Sequence, residues 1–430
     1  MKKSYYILLV LLLLFYACTQ KNAENQTATS SADSLSSYLS KANDFSATTQ
    51  KRQAYIQKAY EIVMEEPNDS LQRANLFRIA NRYYNLNNWK EYGKISKIVL
   101  EKSLSSKDTL STAKAYSYLG DYFGSQGVSD SAFLHYFKAE KIYLKQNDNF
   151  NLGKTRLNKA QLQYNESDFL GSEISALKAL RFLKGEETNE ITYELFNLLG
   201  IVYNELGEYD KAIEFHNKAI AILEKSPTPV EFQSKATTMN NLGLVYLNLR
   251  QFQKAIPYFE KGLEQKNDLI LYKPFVYGML LNNLGYSRFK LKNLNGIPEL
   301  FYEPLKVRDS LKLTIGIIAT KLNISEYFAS KGNLSKSLQY SNEALVEARE
   351  SKNARNLLPP LKQLAIIEPQ KAAEYNKEYI RINDSIQKAD RKIADKFTRI
   401  EYETDEIKQE NTDLTEQNRN IVFAFGAALV

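Results

Sequence analysis

Cysteine is almost missing from this sequence. Cys18 is the only one among 430 residues, so an internal disulfide is impossible and thiolate zinc sites are excluded. Only two histidines, His135 and His216, are present, which leaves little for an imidazole metal centre. Tryptophan occurs once, an argument against exposed aromatic platforms for sugars. Glycine (17) and proline (10) are scarce for the length, which disfavours an all-β chain and leaves room for long helices. No glycine-rich loop runs into Lys-Ser/Thr, so nucleotide phosphates have no cradle, and no cofactor is expected. The 57 Lys and Arg against 50 Asp and Glu, a formal +7, are spread along the chain and form no stripe, so nucleic acid is not an expected partner. Acidic residues on such helices read as a solvated face rather than a catalytic pair, and the chain is not expected to be an enzyme.

What is present is a large apolar supply, 43% of residues with 29 Tyr and 21 Phe, enough for an extended core of rings packed on small residues. The N-terminus runs Met1-Lys2-Lys3 and then apolar from Tyr5 to Ala17, the layout of a secretory signal, so the mature chain is expected outside the cytoplasm, in the cell envelope. The end of that run, Phe15-Tyr16-Ala17-Cys18, resembles the lipobox of bacterial lipoproteins, although Phe15 and Tyr16 are bulkier than that pattern usually has. The resemblance implies lipid attachment at Cys18 and a membrane partner; an uncleaved membrane anchor is the alternative. Residues 1–18 are thus expected to be a signal peptide, and residues 19–40, rich in Ser, Thr, Asn and Ala, a flexible tether.

The strongest signal is an internal repeat. Asn197-Leu198-Leu199-Gly200-Ile201-Val202-Tyr203 returns as Asn241-Leu242-Gly243-Leu244-Val245-Tyr246 and as Asn283-Leu284-Gly285-Tyr286, with Tyr118-Leu119-Gly120 upstream. Small residues fall at 120, 160, 200, 243, 285 and 325, and steps of forty lead on to Ala80 and Ala365. A second small residue follows nineteen positions later at Ala139, Ala179, Ala219, Gly262 and Ala344. Two small residues per unit predict two close helix crossings, because helices approach to the short end of the ~8–10 Å range only where no bulky side chain intervenes. Most prolines sit where this register requires turns. Pro257 and Pro298 are expected near the start of second helices, and Pro304, in a small-residue position, predicts a kinked or shortened helix.

Leu-Gly followed by Tyr, Ala at plus twelve (Ala132, Ala212, Ala255), Tyr or Phe at plus sixteen (Tyr136, Phe259) and Ala at plus nineteen resemble the tetratricopeptide repeat family over residues 32–386, about eight helix pairs. The forty-residue period and the Asn-Asn-Leu-Gly of Asn240–Gly243 and Asn282–Gly285 are similar to its longer-helix subtype. The resemblance implies an all-α fold, a right-handed α-α superhelix whose first helices line a concave groove for a peptide or protein. Asn197, Asn204, Asn240, Asn248 and Asn282 are candidates for that groove, since amides can satisfy an extended backbone without demanding a particular side chain; the alternative is that they serve neighbouring turns or water. Tyr286 and Phe289 are candidate aromatic contacts or ordinary packing. His135 and His216 fall near the aromatic core position and are expected to pack.

After residue 386 the period becomes seven: Ile386, Ile393, Ile400, Ile407, Leu414 and Ile421, interleaved with Asp390, Phe397, Thr404, Asn411 and Asn418. This predicts a coiled-coil helix over 387–420 with a weak parallel dimer seam at Ile393, Phe397, Ile400, Ile407, Asn411, Leu414 and Asn418, or else one amphipathic helix folded back on the solenoid. Residues 421–430 are uncharged and cover only about 15 Å, half a bilayer core, and read as the start of a truncated transmembrane helix. The order of parts resembles the sensor half of membrane-bound histidine kinases of the Bacteroidetes type, and of related helix-turn-helix regulators. The resemblance implies a sensor that relays occupancy through the heptad helix; none of the family's kinase residues is present. A free-standing envelope lipoprotein adaptor is the alternative.

Overall fold

The computed structural model describes residues 33–44, 46–184 and 189–428, with side chains described through Asp405 except that of Asn189. The export signal, Cys18 and most of the expected tether lie outside the described residues, as do the side chains of Ile407, Asn411, Leu414, Asn418 and the apolar end. The described residues contain no strand. Two compact units divide the chain, Met1–Asp148 and Asn149–Val430. The first holds α1 (33–41), α2 (Thr49–Met64), α3 (Ser70–Asn85), α4 (Trp89–Ser105), α5 (Thr109–Ser125) and α6 (Ser129–Gln146). The second holds α7 (Asn149–Asn165), α8 (Phe169–Phe182), α9 (Asn189–Glu205), α10 (Tyr209–Lys225), α11 (Ser234–Asn248), α12 (Phe252–Gly262), α13 (Lys266–Tyr272), α14 (Pro274–Lys290), α15 (Ile297–Ser310), α16 (Thr314–Ser330), α17 (Leu334–Glu350), α18 (Leu358–Ile367) and α19 (Ala372–Ala428).

The forty-residue period has a plain mechanical origin. Helices α4, α5, α7, α9, α10, α16 and α17 are each 17 residues long, and a three-residue connection makes 17 + 3 = 20. The connection is the same device almost everywhere. One residue turns left-handed, at Asn87, Lys107, Gly127, Asn147, Ser167, Gly207, Arg250, Lys292, Lys312 and Gly332. The N–H of the next residue then donates to the carbonyl five positions back, as in Asp108 to Ser103 (2.9 Å), Val128 to Phe123 (2.9 Å) and Glu208 to Tyr203 (2.8 Å). This satisfies helix-end carbonyls. At Asn88, Asp108, Asp168 and Asn333 the same residue caps the following helix with its side chain, so one short turn closes one helix and opens the next. The period stretches where the α10–α11 connection lengthens to residues 226–233, with a 3-10 turn at Val230–Phe232, and where α13 is inserted before α14.

Within each pair the small residue of the first helix meets a ring sixteen positions on. A methyl group placed on Gly200 would lie 2.5 Å from the His216 ring, one on Gly243 2.5 Å from Phe259 and one on Gly285 3.1 Å from Phe301, and one on Gly120 would run into the Tyr136 ring. Elsewhere the partner shrinks as the first residue grows. Ala160 faces position 176, also alanine, and the Ser325 hydroxyl meets that of Ser341 at 2.7 Å. The second row of small residues, Ala139, Ala179, Ala219 and Ala344, is fully buried. Pro304 takes that place in α15, which has 14 residues instead of 17. Pro298 does fall in the first turn of α15, but Pro257 stands sixth in α12, inside the helix rather than at its start. It removes the hydrogen bond that its N–H would give to the Gln253 carbonyl.

In the second unit successive first helices touch, α7 to α9, α9 to α11, α11 to α14, α14 to α16 and α16 to α18, while no two consecutive second helices share a comparable contact. Spacing that is tight on one side and open on the other means that the unit curves with its first helices inside. α19 then leaves α18, packing Ile382 with Leu361, Leu364 and Leu345. Arg349 pairs with Glu378 at 3.7 Å and Arg355 with Asp390. Farther along, Phe397 is only 2% exposed and Glu401 pairs with Lys159 of α7. Of the two expectations for this helix, the folded-back one describes its course at Phe397 and Glu401. Asp390, Ile393, Phe397, Ile400 and Thr404 form the buried or half-buried stripe, but the chain itself covers it, most completely at Phe397. Ile393, Ile400 and Thr404 keep part of their surface open beside it.

Two substitutions test the architecture. Gly243→Ala forces its methyl into the Phe259 ring and should lower stability by about 1–3 kcal/mol. Lys312→Gly removes a lysine from a left-handed position and should raise stability by about 0.5–1 kcal/mol. Both are read from the midpoint of urea unfolding.

Candidate binding face

The inner side of the second unit carries a chain of carboxamides. Asn241 Nδ2 donates to Asn197 Oδ1 (3.2 Å), Asn283 Nδ2 to Asn240 Oδ1 (3.1 Å) and Asn323 Nδ2 to Asn282 Oδ1 (3.1 Å). Within each doublet the first asparagine donates to the second, Asn240 to Asn241 and Asn282 to Asn283, both at 3.4 Å. The result is one continuous line of amides across α9, α11, α14 and α16. A simple register produces it. The residue three before the small crossing position accepts, and the residue two before the next crossing donates. The pattern stops at α9, whose Leu198 cannot donate to Leu157 of α7.

Burial sorts these residues into two roles. Asn240 and Asn282 are buried, at 1% and 4% exposed, so these two expected groove residues are internal links rather than contact points. Asn204 is likewise buried and accepts from the exposed Asn248 at 3.0 Å. Asn197, Asn241, Asn283 and Asn323 remain half-exposed. A carboxamide has two N–H donors and two lone pairs. Asn241 and Asn283 each use one donor and one acceptor within the line, which leaves one of each for an extended backbone. Residues 241, 283 and 323 were missed because only one asparagine of each doublet was singled out; the doublets themselves, and the spacing to 323, carried the signal.

Of the two aromatic candidates, Phe289 needs correction. It is buried against Ile297, Phe301 and Ile324 and belongs to the core. Tyr286 stays half-exposed at the edge of that cluster, within 6.3 Å of the Phe252 ring. Glu194 and Glu205 on α9 are solvent-accessible, yet the surrounding protein desolvates them enough to raise both carboxyls, with Glu190 adding to the effect at Glu194. Accessible but desolvated carboxylates are what a concave wall produces.

The histidines are packing residues, as expected. The His135 Nδ1 lies 2.6 Å from the Ser131 carbonyl and its ring sits 4.9 Å from Phe123. His216 is fully buried against Gly200, neither ring nitrogen has a hydrogen-bond partner, and burial pushes its basicity down to about 3. Among the described residues no group of His, Cys, Asp and Glu could hold a metal ion, and no helix is long and apolar enough to cross a membrane.

Residues 190–268, which contain the first half of the amide line, match the tetratricopeptide repeat family. No curated protein matches the sequence. Among solved structures the fold is similar to a Rap protein complexed with competence and sporulation factor, with TM-score 0.58 and 15% identity over 84% of this chain and 99% of that one. It is similar to the apo quorum sensor NprR of B. thuringiensis, with TM-score 0.59 and 15% identity over 82% and 97%. A third is aspartyl phosphate phosphatase F of Bacillus subtilis, with TM-score 0.53 and 17% identity over 82% and 94%. At such identities the likeness establishes a tetratricopeptide-like solenoid and nothing of its chemistry.

His216 makes the fold acid-sensitive in a defined direction. The folded ring stays neutral to about pH 3 while the unfolded one protonates below ~6.5. This site's stability is therefore complete above ~6.5 and is lost as pH falls toward 3, by about 1.4 kcal/mol per unit. His216→Phe, the residue type at 259, should gain about 1–2 kcal/mol at pH 7 by removing two unsatisfied nitrogens, and more at pH 5. Unfolding at both pH values checks this.

Proposed function

We propose that this chain is an extracytoplasmic, membrane-attached sensor region that binds an extended peptide or protein segment along α9, α11, α14 and α16. The observation that carries this reading is the amide line. It offers unspent donors and acceptors at regular intervals on the concave side, where one backbone can satisfy several of them at once. Support of a weaker kind comes from the similar folds, one of them complexed with competence and sporulation factor and another described as a quorum sensor. Attachment to the envelope rests on the charge-then-apolar N-terminus and Cys18. In this reading α19 passes occupancy toward an output module of the histidine kinase or helix-turn-helix regulator type. Binding must favour one arrangement of α19 over another for that relay to work.

A second reading, an envelope lipoprotein adaptor without a relay, draws support from the way α19 is covered by its own solenoid through Thr404. A helix held in that way serves a static scaffold as well as a switch.

The peptide-binding core of the proposal is tested by selecting extended peptides from a random display library on the full chain. Asn241→Ala and Asn283→Ala should each weaken selected peptides roughly tenfold, the value of one or two lost backbone hydrogen bonds. Lys178→Ala, on the outer face of α8, should leave them unchanged. Equal affinity across all four proteins would refute the amide line as the binding face.

A further inference from the structure

One residue breaks the repeat without any packing reason. Immediately before each small crossing residue the first helices carry a buried aliphatic side chain: Ile79, Leu119, Leu199, Leu242, Leu284 and Ile324. In α7 that position is Lys159, only 5% exposed. Its ammonium pairs with Glu401, 242 residues later, on the far part of α19. One turn before Glu401 on the same helix is Phe397, the most buried side chain described beyond Ile382 in α19. A buried lysine is destabilising unless a carboxylate accompanies it, so a repeat that could have used leucine has given up stability for charge recognition at this place.

The path of α19 explains what the pair does. From Ile382, packed on α18, to Glu401 is 19 residues, or about 28 Å of helix. α19 therefore reaches from α18 back to α7, the two ends of the row of first helices that also holds α9, α11, α14 and α16. It is anchored near Ile382 by apolar packing and at its far end by Phe397 and the Lys159–Glu401 pair.

We propose that the face of α7 around Lys159 is a docking site for an acid-bearing amphipathic helix, filled in cis by residues 393–404 of α19, and that this docked segment is a releasable latch at the α7 end of the peptide-binding face. A ligand that displaces it must replace what it removes. The ligand class is therefore an acidic peptide with an aromatic or large aliphatic residue one helical turn before a carboxylate. The identity of the displacing ligand rests on the proposed peptide-binding function; the latch itself does not.

The test uses the full chain and a fluorescent synthetic peptide of residues 388–405. The tethered copy competes at an effective concentration near millimolar, so the peptide should bind wild type at least roughly tenfold more weakly than it binds the Glu401→Lys protein, in which the latch has lost its charge partner. Adding Lys159→Glu to Glu401→Lys should abolish binding of the native peptide, and a peptide carrying Glu401→Lys should recover it. Hydrogen exchange over 393–404 should be faster in Glu401→Lys than in wild type, a readout that does not depend on the added peptide. Equal peptide affinity for wild type and Glu401→Lys would overturn the latch. Affinity indifferent to Lys159→Glu would overturn the site, and unchanged exchange would overturn the charge pair as its fastening. None of these outcomes involves Asn241 or Asn283, so failure of the peptide-binding face and failure of the latch are distinguishable.

Discussion

The close approach of a ring to a residue with little or no side chain, once per helix pair, is the constraint on which the rest of this molecule depends. Gly120 with Tyr136, Gly200 with His216, Gly243 with Phe259 and Gly285 with Phe301 bring first and second helices together, and that distance lets the next pair stack in the same register. Register in turn decides which side chains of neighbouring first helices can meet. The amide line exists because positions three and two before each crossing fall opposite one another in consecutive pairs. A shift of one residue in any crossing would rotate a first helix by about 100° and separate Asn241 from Asn197 or Asn283 from Asn240.

Much of this was legible in the sequence because the constraint acts on residue type. Glycine or alanine at intervals of about forty, with a ring sixteen later, is a pattern that few other arrangements would maintain, and it predicted helix pairs and their crossings correctly. The turns were only half legible. Gly127, Gly207 and Gly332 announce a left-handed residue, but Lys107, Ser167, Arg250, Lys292 and Lys312 adopt the same conformation with no signature. Their cost, about 1–2 kcal/mol each, is offset by the helix-end hydrogen bonds that the turn completes. Local strain of this kind is set by what surrounds it, so composition does not report it.

The amide line was legible in kind and misjudged in detail for a related reason. Asparagine doublets marked the helices that carry this line, but which member of a doublet is buried depends on the angle at which the next pair stacks. That angle is a property of several crossings together. The same holds for Phe289, whose helical position suggested the groove and whose ring was claimed instead by Ile297, Phe301 and Ile324. The similar solved structures share the fold at 15–17% identity.

The heptad helix carries the most general lesson about reading such chains. A stripe of Ile386, Ile393 and Ile400 interleaved with Phe397 specifies a helix that must be covered on one side, and it specifies nothing about the covering. The deciding residue lay 238 positions away from Phe397 at Lys159, where a lysine occupies a leucine position of the repeat. A mismatch to the consensus of one element and an unexplained stripe on another are each weak signals when read separately. Read together, an unneeded buried cation and an amphipathic helix bearing a carboxylate one turn after a ring are complementary halves of one contact. Such pairs of anomalies identify long-range contacts in repeat proteins, whose regular contacts are all between neighbours.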